Sequence, residues 1–389
     1  MADVSVIDRA RGMRDLVRAE AAESERLRTL SPVIVDGMWA CGLMPAFNPK
    51  AAGGVEPSFR DMIDTWIEMA WQDGSFGWIG IANLPSTFAA ATYLPDDGFA
   101  EMFTANDNHI TIGGQYFPNG QGSAVDGGYR LSGTWSFGSG TGHSAYIGAG
   151  FFPMDDGEMR WVSEGIPDMR VAFLPRDEVT FADGWHVQGL KGTGSYDYTV
   201  ADVFVPECRT IPLFTREPAR GNSAASRMGL MPVTAAGHAS FALGVAKSML
   251  DDVEELAATK VRMSDMATLA SRQTFQKGLA HHVAAWRAAR LLVLDAFAVA
   301  EAAVESGDDL TPRLRADMRV AAVYATDTAR AVAEWAHLVA GTTAIREGSR
   351  LERAFRDIYT GTQHAFISEK VAMDVAQIWL GIVDDQFGL

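Results

Sequence analysis

Residues 128–140 read Gly-Tyr-Arg-Leu-Ser-Gly-Thr-Trp-Ser-Phe-Gly-Ser-Gly and separate two long regions of helical periodicity. In the first half, Tyr129 and Leu131 alternate with polar residues, which is the two-residue period of a strand with one buried face. Glycines at Gly127–Gly128 and Gly133 border this alternation and can supply the positive backbone angles of tight turns. The stretch therefore predicts short strands joined by turns, at the centre of a mostly helical chain.

The second half of this stretch combines aromatic with small residues. Trp135, Ser136 and Phe137 are followed by Gly138-Ser139-Gly140, which places a flat apolar surface beside backbone that a planar ring can approach closely. Two interpretations fit this pattern. The stretch is either one wall of a site for a planar cofactor, or a glycine-rich hairpin whose aromatic side chains belong only to the core.

The composition predicts a large globular protein and argues against polyanionic partners. The chain has 389 residues, 48% of them hydrophobic, and its 33 Lys and Arg against 49 Asp and Glu give a formal charge of -16. A surface of this sign repels nucleic acid and anionic membranes, so neither is an expected partner. A single phosphorylated cofactor is still compatible, because one or two arginines in a local pocket can hold it.

The sequence also gives no support for a membrane protein, a disulfide-rich protein or a metal-binding protein. No window approaches the roughly 18 consecutive apolar residues of a bilayer span, and the first residues lack the apolar core of a secretory signal, so we expect a cytoplasmic protein. Cys41 and Cys208 are too few and too far apart for a disulfide framework. No His, Asp and Glu cluster has metal-ligand spacing, and the adjacent His281-His282 point to different faces of a helix.

Periodicity divides the chain into three regions. Residues 1–109 are expected to be helical, including two amphipathic helices within 4–45 and a helix over the apolar run Ile79–Tyr93, despite Pro85. Residues 110–215 have the short alternating runs of a β-domain. Residues 216–389 return to helical periodicity.

The last region predicts an antiparallel four-helix bundle. The runs rich in Ala, Val and Leu cover 228–257, 264–304, 312–340 and 364–382. Small residues on these helices permit close packing and a large subunit interface. The fold class is thus α+β: an N-terminal helical domain, a central β-domain and a C-terminal four-helix bundle.

Several motifs resemble the acyl-CoA dehydrogenase superfamily, and together they cover most of the chain. Residues 128–140 are similar to its Gly-Tyr-x-Leu-x-Gly-x-Trp-x-Phe-x-Ser-Gly segment, 31–78 to its N-terminal helical domain, and 189–207 to its closing strands. The Trp-x-Phe-x-Ser-Gly form resembles the two-component flavin monooxygenases of the superfamily rather than its dehydrogenases. This resemblance implies an acyl-CoA dehydrogenase-like fold assembled as a homotetramer.

The same resemblance implies a function. It predicts the oxygenase component of a two-component system, which binds reduced FAD or FMN supplied by a separate flavin reductase. Molecular oxygen would form a flavin C4a-hydroperoxide, and this would hydroxylate an apolar, aromatic small molecule. In the family the segment that ends in Gln363-His364 brings its histidine to the reactive edge of the flavin.

The resemblance also suggests site residues. His364 and Ser139 are the predicted catalytic residues, with imidazole exchanging a proton near neutral pH and Ser139, by its hydroxyl or its backbone, donating to flavin N5. The predicted flavin contacts are Gln115, Phe117, Trp135, Ser136, Ser139, Arg272 and Phe275, and the predicted substrate contacts are Trp78, Asn83, Ser86 and His238. Arg272 would reach the flavin phosphate of a neighbouring subunit. Each alternative also stands: a lone histidine is by default structural, and Arg272 could be an exposed helix end.

Two other functions remain as alternatives. A flavin-dependent acyl-CoA dehydrogenase or oxidase of this fold needs a carboxylate base, commonly the Glu of Tyr-Glu-Gly-Thr, but Thr360 stands there. An ungapped count reaches Ala365, and the other usual position falls near Leu230, so neither supplies the base. A non-catalytic paralogue that keeps the fold for assembly is the second alternative.

Overall fold

The computed structural model describes residues 4–182, 184–263, 266–386 and 388–389. Within these ranges the helices are α1 Val6–Arg11, α2 Arg14–Leu27, α3 Pro32–Ala40, α4 Phe59–Gln72, α5 Gly74–Tyr93, α6 Asp96–Met102, α7 Ala224–Met228, α8 Leu230–Thr259, α9 Gln273–Glu305, α10 Pro312–Ala340, α11 Arg350–Gly361 and α12 Glu369–Trp379. The strands are β1 Ile112–Val125, β2 Gly128–Gly138, β3 Tyr146–Asp155, β4 Glu158–Met159, β5 Trp161–Ser163, β6 Ile166–Pro167, β7 Arg170–Pro175, β8 Thr180–Phe181, β9 Tyr196–Pro206 and β10 Thr210–Pro212. The order is helices, then strands, then helices, as the sequence predicts.

The strands form one mixed sheet and a separate β5–β6 hairpin. The order in the large sheet is β10-β7-β3-β1-β2-β9-β8, with β4 added at β3. Only the β1–β3 pair is parallel, and a bulge between Gln115 and Gly120 interrupts it. Trp135 and Tyr198 stack in the core of this sheet, with ring centroids 5.3 Å apart and planes 13° from parallel.

The prediction of short strands broken at Gly133 is wrong. β2 is one strand that follows a turn at Gly127, where φ is 76°. Gly133 pairs with Gly120 across the sheet, and the Trp135 ring covers both: an added Cβ would lie 2.5 Å from the ring at Gly120 and 2.7 Å at Gly133. These two glycines therefore make room for a buried indole rather than for a turn.

The helix predicted over Ile79–Tyr93 is confirmed as part of α5. Asp73 caps it by accepting the backbone N–H of Phe76 at 3.1 Å. Nearly every residue of α5 is buried, because the helix packs against α4, α8 and α11 on one side and against β1 on the other. α5 thus joins the helical layers to the sheet.

The fourth bundle helix predicted over 364–382 is wrong in its extent. Within 364–382 the α-helix is α12, of 11 residues, which follows a 3₁₀ turn at Ala365–Ile367. The preceding helix, α11, ends before this range begins. α11 ends at Gly361, which packs so closely on Phe241 and Trp78 that an added Cβ would lie 2.4 Å from the Phe241 ring. The predicted start at residue 264 lies outside the described residues, and α9 begins at Gln273.

No helix in the described ranges combines the length and the apolar character needed to cross a bilayer. Cys41 and Cys208 are both free. Nowhere in these ranges do three His, Cys, Asp or Glu side chains come together in an arrangement that could hold a metal ion.

Candidate functional site

Trp78 on α5 contacts both the sheet and the helical bundle. Its indole Nε1–H donates to Ser139 Oγ at 2.9 Å, just beyond the end of β2. The other side of the indole faces His238 of α8, at 5.4 Å between ring centroids, and His364, at 6.0 Å. Three residues predicted from separate parts of the sequence therefore meet around one indole.

A chain of hydrogen bonds runs inward from Trp78 through three hydroxyls. After the 2.9 Å bond from Trp78 to Ser139, the Ser139 and Ser195 hydroxyl oxygens lie 2.9 Å apart. Those of Ser195 and Thr193 lie 2.7 Å apart. Thr193 then donates to the carbonyl oxygen of Leu190 at 2.9 Å.

The two ends of the chain fix the direction of every bond in it. A hydroxyl has one hydrogen, an indole N–H only donates and a carbonyl only accepts. Because Thr193 donates to Leu190, it accepts from Ser195, and Ser195 accepts from Ser139. Ser139 therefore donates its one hydrogen to Ser195 and accepts a hydrogen bond from Trp78. Its hydroxyl has no further hydrogen to donate and one lone pair free. The Ser139 hydroxyl can therefore accept from a ligand but cannot be the predicted donor to flavin N5, a role left to its backbone N–H.

The loop that carries this chain is anchored on α11. Leu190 has a left-handed backbone, with φ of 55°, and its N–H donates to Asp357 Oδ1 at 2.6 Å. Burial, together with the neighbouring Asp73 carboxylate, raises the pKa of Asp357 to about 8. The other oxygen, Oδ2, is sealed from solvent without a partner. These surroundings favour the protonated form of Asp357, which holds the loop from behind.

His364 lies at the start of the 3₁₀ turn between α11 and α12. Its Nδ1 accepts the backbone N–H of Phe366 at 3.2 Å, which assigns the hydrogen of a neutral ring to Nε2. The side chain is accessible, yet the surrounding protein, and secondly the Arg319 guanidinium, lower the pKa of His364 below its ordinary value. Accessibility combined with enclosure is typical of a ring that lines a concave site.

His238 lies behind His364, with ring centroids 4.4 Å apart. Its side chain is 5% exposed, and its Nδ1 has no hydrogen-bond partner among the residues that the structure describes. Burial, then the neighbouring His364 and Arg319, lower the pKa of His238 well below its ordinary value. The pair is therefore neutral at physiological pH.

Arg319 of α10 completes this wall of the site. Its guanidinium carbon lies 3.5 Å from the centre of the Phe366 ring, and Phe366 in turn faces His238 at 5.6 Å. The guanidinium is buried, and its Nε is sealed from solvent without a hydrogen-bond partner. Trp78, His238, His364, Phe366 and Arg319 form what we call the histidine wall.

Comparison with known proteins assigns the family. Residues 236–369 match the model of the acyl-CoA dehydrogenase C-terminal domain. A pigment production hydroxylase of Rhodococcus erythropolis is 30% identical over 371 residues, which cover 92% of each chain. Indole-3-acetate monooxygenase of Pseudomonas putida is 29% identical over 378 residues, 95% of this chain and 92% of the relative. The chain belongs to the flavin-dependent monooxygenases of the acyl-CoA dehydrogenase superfamily. The resemblance read from the motifs and the predicted enzyme class are thereby confirmed.

Two solved structures share the whole fold. XiaF from Streptomyces sp., in complex with FADH2 and glycerol, superposes with a TM-score of 0.89 at 23% identity, covering 99% of this chain and 97% of XiaF. The 3-HSA hydroxylase of Rhodococcus sp. RHA1 superposes with a TM-score of 0.89 at 24% identity, covering 100% and 99%. The predicted acyl-CoA dehydrogenase-like architecture is confirmed.

The structure brings some of the predicted residues of this monooxygenase together and assigns others to packing. Trp78, Ser139, His238 and His364 lie in one connected group. Asn83 does not contact it, because its buried amide donates to the Ile112 carbonyl at 2.7 Å and to Ser144 at 3.1 Å and contacts His143. Asn83 therefore joins α5 to the sheet, and its role as a substrate contact stays a prediction.

Trp135 is also a structural residue. It is fully buried, stacks on Tyr198 and donates to the Gly150 carbonyl at 2.8 Å, so it offers no surface to a flavin. The next aromatic of the strand, Phe137, is exposed, with a left-handed backbone at φ of 62°. Ser136 between them is half-buried. Trp135 thus belongs to the core, whereas the ring of Phe137 is accessible.

The remaining predicted residues lie around the site or away from it. Phe117 is exposed at the β1 bulge, where its N–H donates to the side chain of Gln115. The Ser86 carbonyl accepts the hydroxyl of Tyr116 at 3.2 Å. At the start of α9, Phe275 is buried against Trp335, with centroids 5.7 Å apart, so its predicted flavin contact would require it to move. Arg272 lies beside it at the N-terminal end of α9.

Sequence reasoning missed five residues of the site, one of which is Phe366 of the histidine wall. Thr193 and Ser195 stand in the Gly-Thr-Gly-Ser segment that was recognised only as part of the closing strands. Arg319 interrupts the buried face of α10 between Ala316 and Val323, and a charged residue on an apolar helical stripe is a detectable signal. Asp357 had no such signal, because its partner Leu190 is 167 residues away.

Proposed function

We propose that this monooxygenase is the oxygenase component of a two-component system, which takes reduced FAD or FMN from a separate flavin reductase and hydroxylates an aromatic small molecule. Reduced flavin supplies the two electrons with which one atom of molecular oxygen becomes water while the other enters the substrate. The residues of this chain have the tasks of selecting the reduced cofactor, placing the substrate and excluding water.

The acceptor-only hydroxyl of Ser139 is the observation that carries the proposal. N5 of a flavin bears a hydrogen in the reduced ring and a lone pair in the oxidised ring. Because the Ser139 hydroxyl donates its own hydrogen to Ser195, it can accept a hydrogen bond from the N5 hydrogen of the reduced ring. Against the oxidised ring, a lone pair of the hydroxyl would face the lone pair of N5, which is repulsive. The side chains present thus fit a reduced flavin at Ser139. The chemistry of this one group supports binding of the form that a reductase delivers.

On the opposite side, His364 offers an N–H at Nε2. Because Phe366 occupies Nδ1 and the pKa of the ring is lowered, His364 is neutral at physiological pH. A neutral imidazole orients an oxygen atom of the substrate or of the reacting oxygen by hydrogen bonding. It can also accept a proton once the contact with Phe366 opens. Either task requires His364 to lie beside the reacting atoms.

The walls suit a flat substrate. Trp78, His238 and Phe366 bring their rings together within a small region, and aromatic ligands pack well in offset or edge-to-face arrangements on such surfaces. The relative named as an indole-3-acetate monooxygenase supports an aromatic substrate for this chain as well.

A dehydrogenase reaction lacks its base here. Among the residues that the structure describes, Glu347 and Glu369 are exposed, and the charged group that perturbs the pKa of His364 and His238 is a cation, Arg319. Thr360 donates to the Arg356 carbonyl at 2.9 Å within α11 and serves the helix. These observations favour the monooxygenase over removal of an α-proton.

We further propose a homotetramer in the cytoplasm. Several large apolar side chains are exposed on α9, α10 and their neighbourhood, among them Leu291, Val299, Leu338, Trp379 and Leu380. Exposed large apolar side chains on neighbouring helices of a bundle are typical of subunit contacts. In such an assembly Arg272 would serve the flavin of a neighbouring subunit. Sedimentation velocity of the purified chain tests the subunit number.

Anaerobic binding tests the function. Reduced FMN and FAD should bind the purified chain at least about ten-fold more tightly than the oxidised forms, since the wrong protonation state at N5 forfeits about one hydrogen bond. Oxygen added with an aromatic substrate should then give one hydroxylated product per flavin oxidised. Bleaching of oxidised FAD by an acyl-CoA without a reductase would instead establish a dehydrogenase. No binding of reduced flavin at all would point to the non-catalytic alternative.

A further inference from the structure

Arg319 differs from the other arginines of its helix. On α10, Arg313 pairs with Asp317, Arg315 with Asp385 and Arg330 with Asp327. Arg319 is 5% exposed, and in the part of the chain that the structure describes no carboxylate lies within ion-pair distance of it. It is the buried guanidinium of α10 that has been left without a counter-charge.

The nearest carboxylate does not fill this role. Asp374 of α12 acts on Arg319 from beyond ion-pair distance and is itself paired with Lys370. Burial consequently lowers the pKa of Arg319 to about 10 despite Asp374. An uncompensated charge in a protein interior costs several kcal/mol, so a chain that retains one has a use for it or a missing partner.

The unpaired guanidinium belongs to the site. One of its faces is covered by Phe366 at 3.5 Å, and the backbone N–H of Phe366 bonds to His364. Its Nε is sealed without a partner, as is Nδ1 of His238, whereas its terminal nitrogens are not sealed in this way. The cation therefore borders the group of rings around Trp78.

We propose that Arg319 binds the carboxylate of the substrate, which makes the substrate class aromatic acids rather than neutral arenes. This inference rests on the proposed function. The planar fork of a guanidinium matches a carboxylate through two parallel hydrogen bonds. With Phe366 on one face, the free edge of Arg319 is the part that can make them.

A phosphate of the cofactor fits this position less well. A phosphate carries up to two charges and is commonly held by several cations or backbone amides. The two other titratable groups of this wall, His238 and His364, are neutral and add no positive charge. One guanidinium matches one carboxylate, and the charge balance of the filled site is then zero.

Calorimetry under anaerobic conditions with reduced FMN present tests the proposal. Indole-3-acetate is compared with indole-3-acetamide, which has nearly the same shape and no charge. We expect the parent chain to bind the acid more tightly than the amide. Arg319→Gln should weaken binding of the acid roughly 10- to 100-fold, which is the scale of one or two charge-assisted hydrogen bonds. Its affinity for the amide should stay within about two-fold of the parental value.

Two further variants separate charge, geometry and folding. Arg319→Lys keeps the charge without the fork and should recover only part of the affinity for the acid. Arg313→Gln removes an exposed arginine of the same helix and should change neither ligand. Because Arg319→Gln removes an unpaired buried charge, its melting temperature in the absence of ligand should be no lower than that of the parent.

Several outcomes would overturn the inference. Equal weakening of acid and amide together with a lower melting temperature would make Arg319 a structural residue. Equal binding of acid and amide by the parent chain would remove the anion site. If Arg319→Gln weakens FMN but not riboflavin, the guanidinium serves the cofactor phosphate, and stabilisation of the parent alone by inorganic phosphate would identify a free ion as the occupant. Failure of the parent to bind reduced flavin is a separate result, which overturns the proposed function itself.

Discussion

The two sides of Trp78 differ in how completely their polar groups are satisfied. On the sheet side, each hydroxyl from Ser139 to Thr193 has a partner on both sides within the chain. On the bundle side, Nδ1 of His238 and Nε of Arg319 are sealed from water and have none. Buried polar groups are normally paired, so the second wall is the exception.

This difference indicates two kinds of work. A fully paired chain of hydroxyls holds one geometry and presents one fixed chemical face, which suits recognition of a cofactor in a single redox state. Unpaired buried groups keep a capacity for hydrogen bonding that the folded chain does not use. The terminal nitrogens of Arg319 are not sealed in this way, and a ligand that bonds to them gains more than it would on a wetted surface. The sheet side is prepared in advance, and the bundle side is completed by what binds.

Removing His364 should have the largest effect and would test whether the histidine wall is catalytic. For His364→Ala we expect product formation about 10²-fold lower or more, the scale of a lost acid–base or orienting group, with reduced-flavin binding nearly unchanged. Product and hydrogen peroxide are measured per flavin oxidised. His281→Ala, on the exposed surface of α9, is the control. Full coupling at the parental rate in His364→Ala would assign the residue to structure alone.

Breaking the hydroxyl chain should have the next effect and would test whether the sheet side is prepared in advance. Ser139→Ala removes the acceptor and should weaken reduced-flavin binding by roughly 1–3 kcal/mol, with more hydrogen peroxide released. Thr193→Val removes the far end of the chain, frees Ser139 to rotate and should give a smaller loss of the same kind. The control is Thr134→Val, which removes an exposed hydroxyl of β2 that bonds to Thr199. If Thr193→Val matches the parent in its preference for reduced over oxidised flavin, the direction of the chain does not matter.

The neutral state of His238 predicts a pH dependence of stability. Its folded pKa lies well below its unfolded value near 6.5, so the unfolded chain binds the extra proton as the medium is acidified. The stabilisation from a neutral, buried His238 is complete above pH 6.5 and is lost as the pH falls below it. The slope reaches at most about 1.4 kcal/mol per pH unit for this group.

Urea denaturation between pH 5 and 7.5 measures this dependence. The free energy of unfolding of His238→Phe should fall less steeply than that of the parent as the pH is lowered. That of His281→Phe should follow the parent. A variant at position 238 with the parental slope would show that other groups carry the acid sensitivity.

We expect the smallest effect from Asp357, whose contribution to stability changes with pH in the opposite direction to that of His238. Because its folded pKa is raised to about 8, the folded chain keeps a proton that the unfolded chain releases, and stability is lost as the pH rises toward that value. Asp357→Asn resembles the protonated acid and keeps an acceptor for Leu190. Relative to the parent, we expect the free energy of unfolding of this variant to rise by at least about 1 kcal/mol between pH 5 and pH 8. A variant destabilised equally at both values would mean that Asp357 is ionised in the folded chain.

Local patterns predicted the layers of the fold better than the limits of its elements. The helix around Pro85 and the hairpin turn at Gly127 follow from residues near them in sequence. The packing at the end of α11 depends instead on residues distant in sequence, because Gly361 fits closely against Phe241 and Trp78. The misread Gly133 has the same cause: a glycine that accommodates a ring looks in sequence like a glycine that makes a turn.

The site divided in a similar way. Motif resemblance selected Trp78, Ser139 and His364, whose surroundings in sequence are distinctive, and the structure brings these three side chains together. It assigned Trp135 and Asn83 to ligands although their polar atoms are used within the core. Which donors and acceptors are already taken depends on contacts between distant segments, and no local pattern contains that information.

α5 also has a consequence for how the protein unfolds. This helix packs on α4 and α8 within the helical layers and on β1 of the sheet, and Asn83 at its middle hydrogen-bonds both Ile112 and Ser144. Neither the helical layers nor the sheet can lose its structure while α5 keeps all its neighbours. Calorimetry should therefore record one cooperative transition rather than separate melting of a sheet and a bundle, because the element between them is a shared part of both cores.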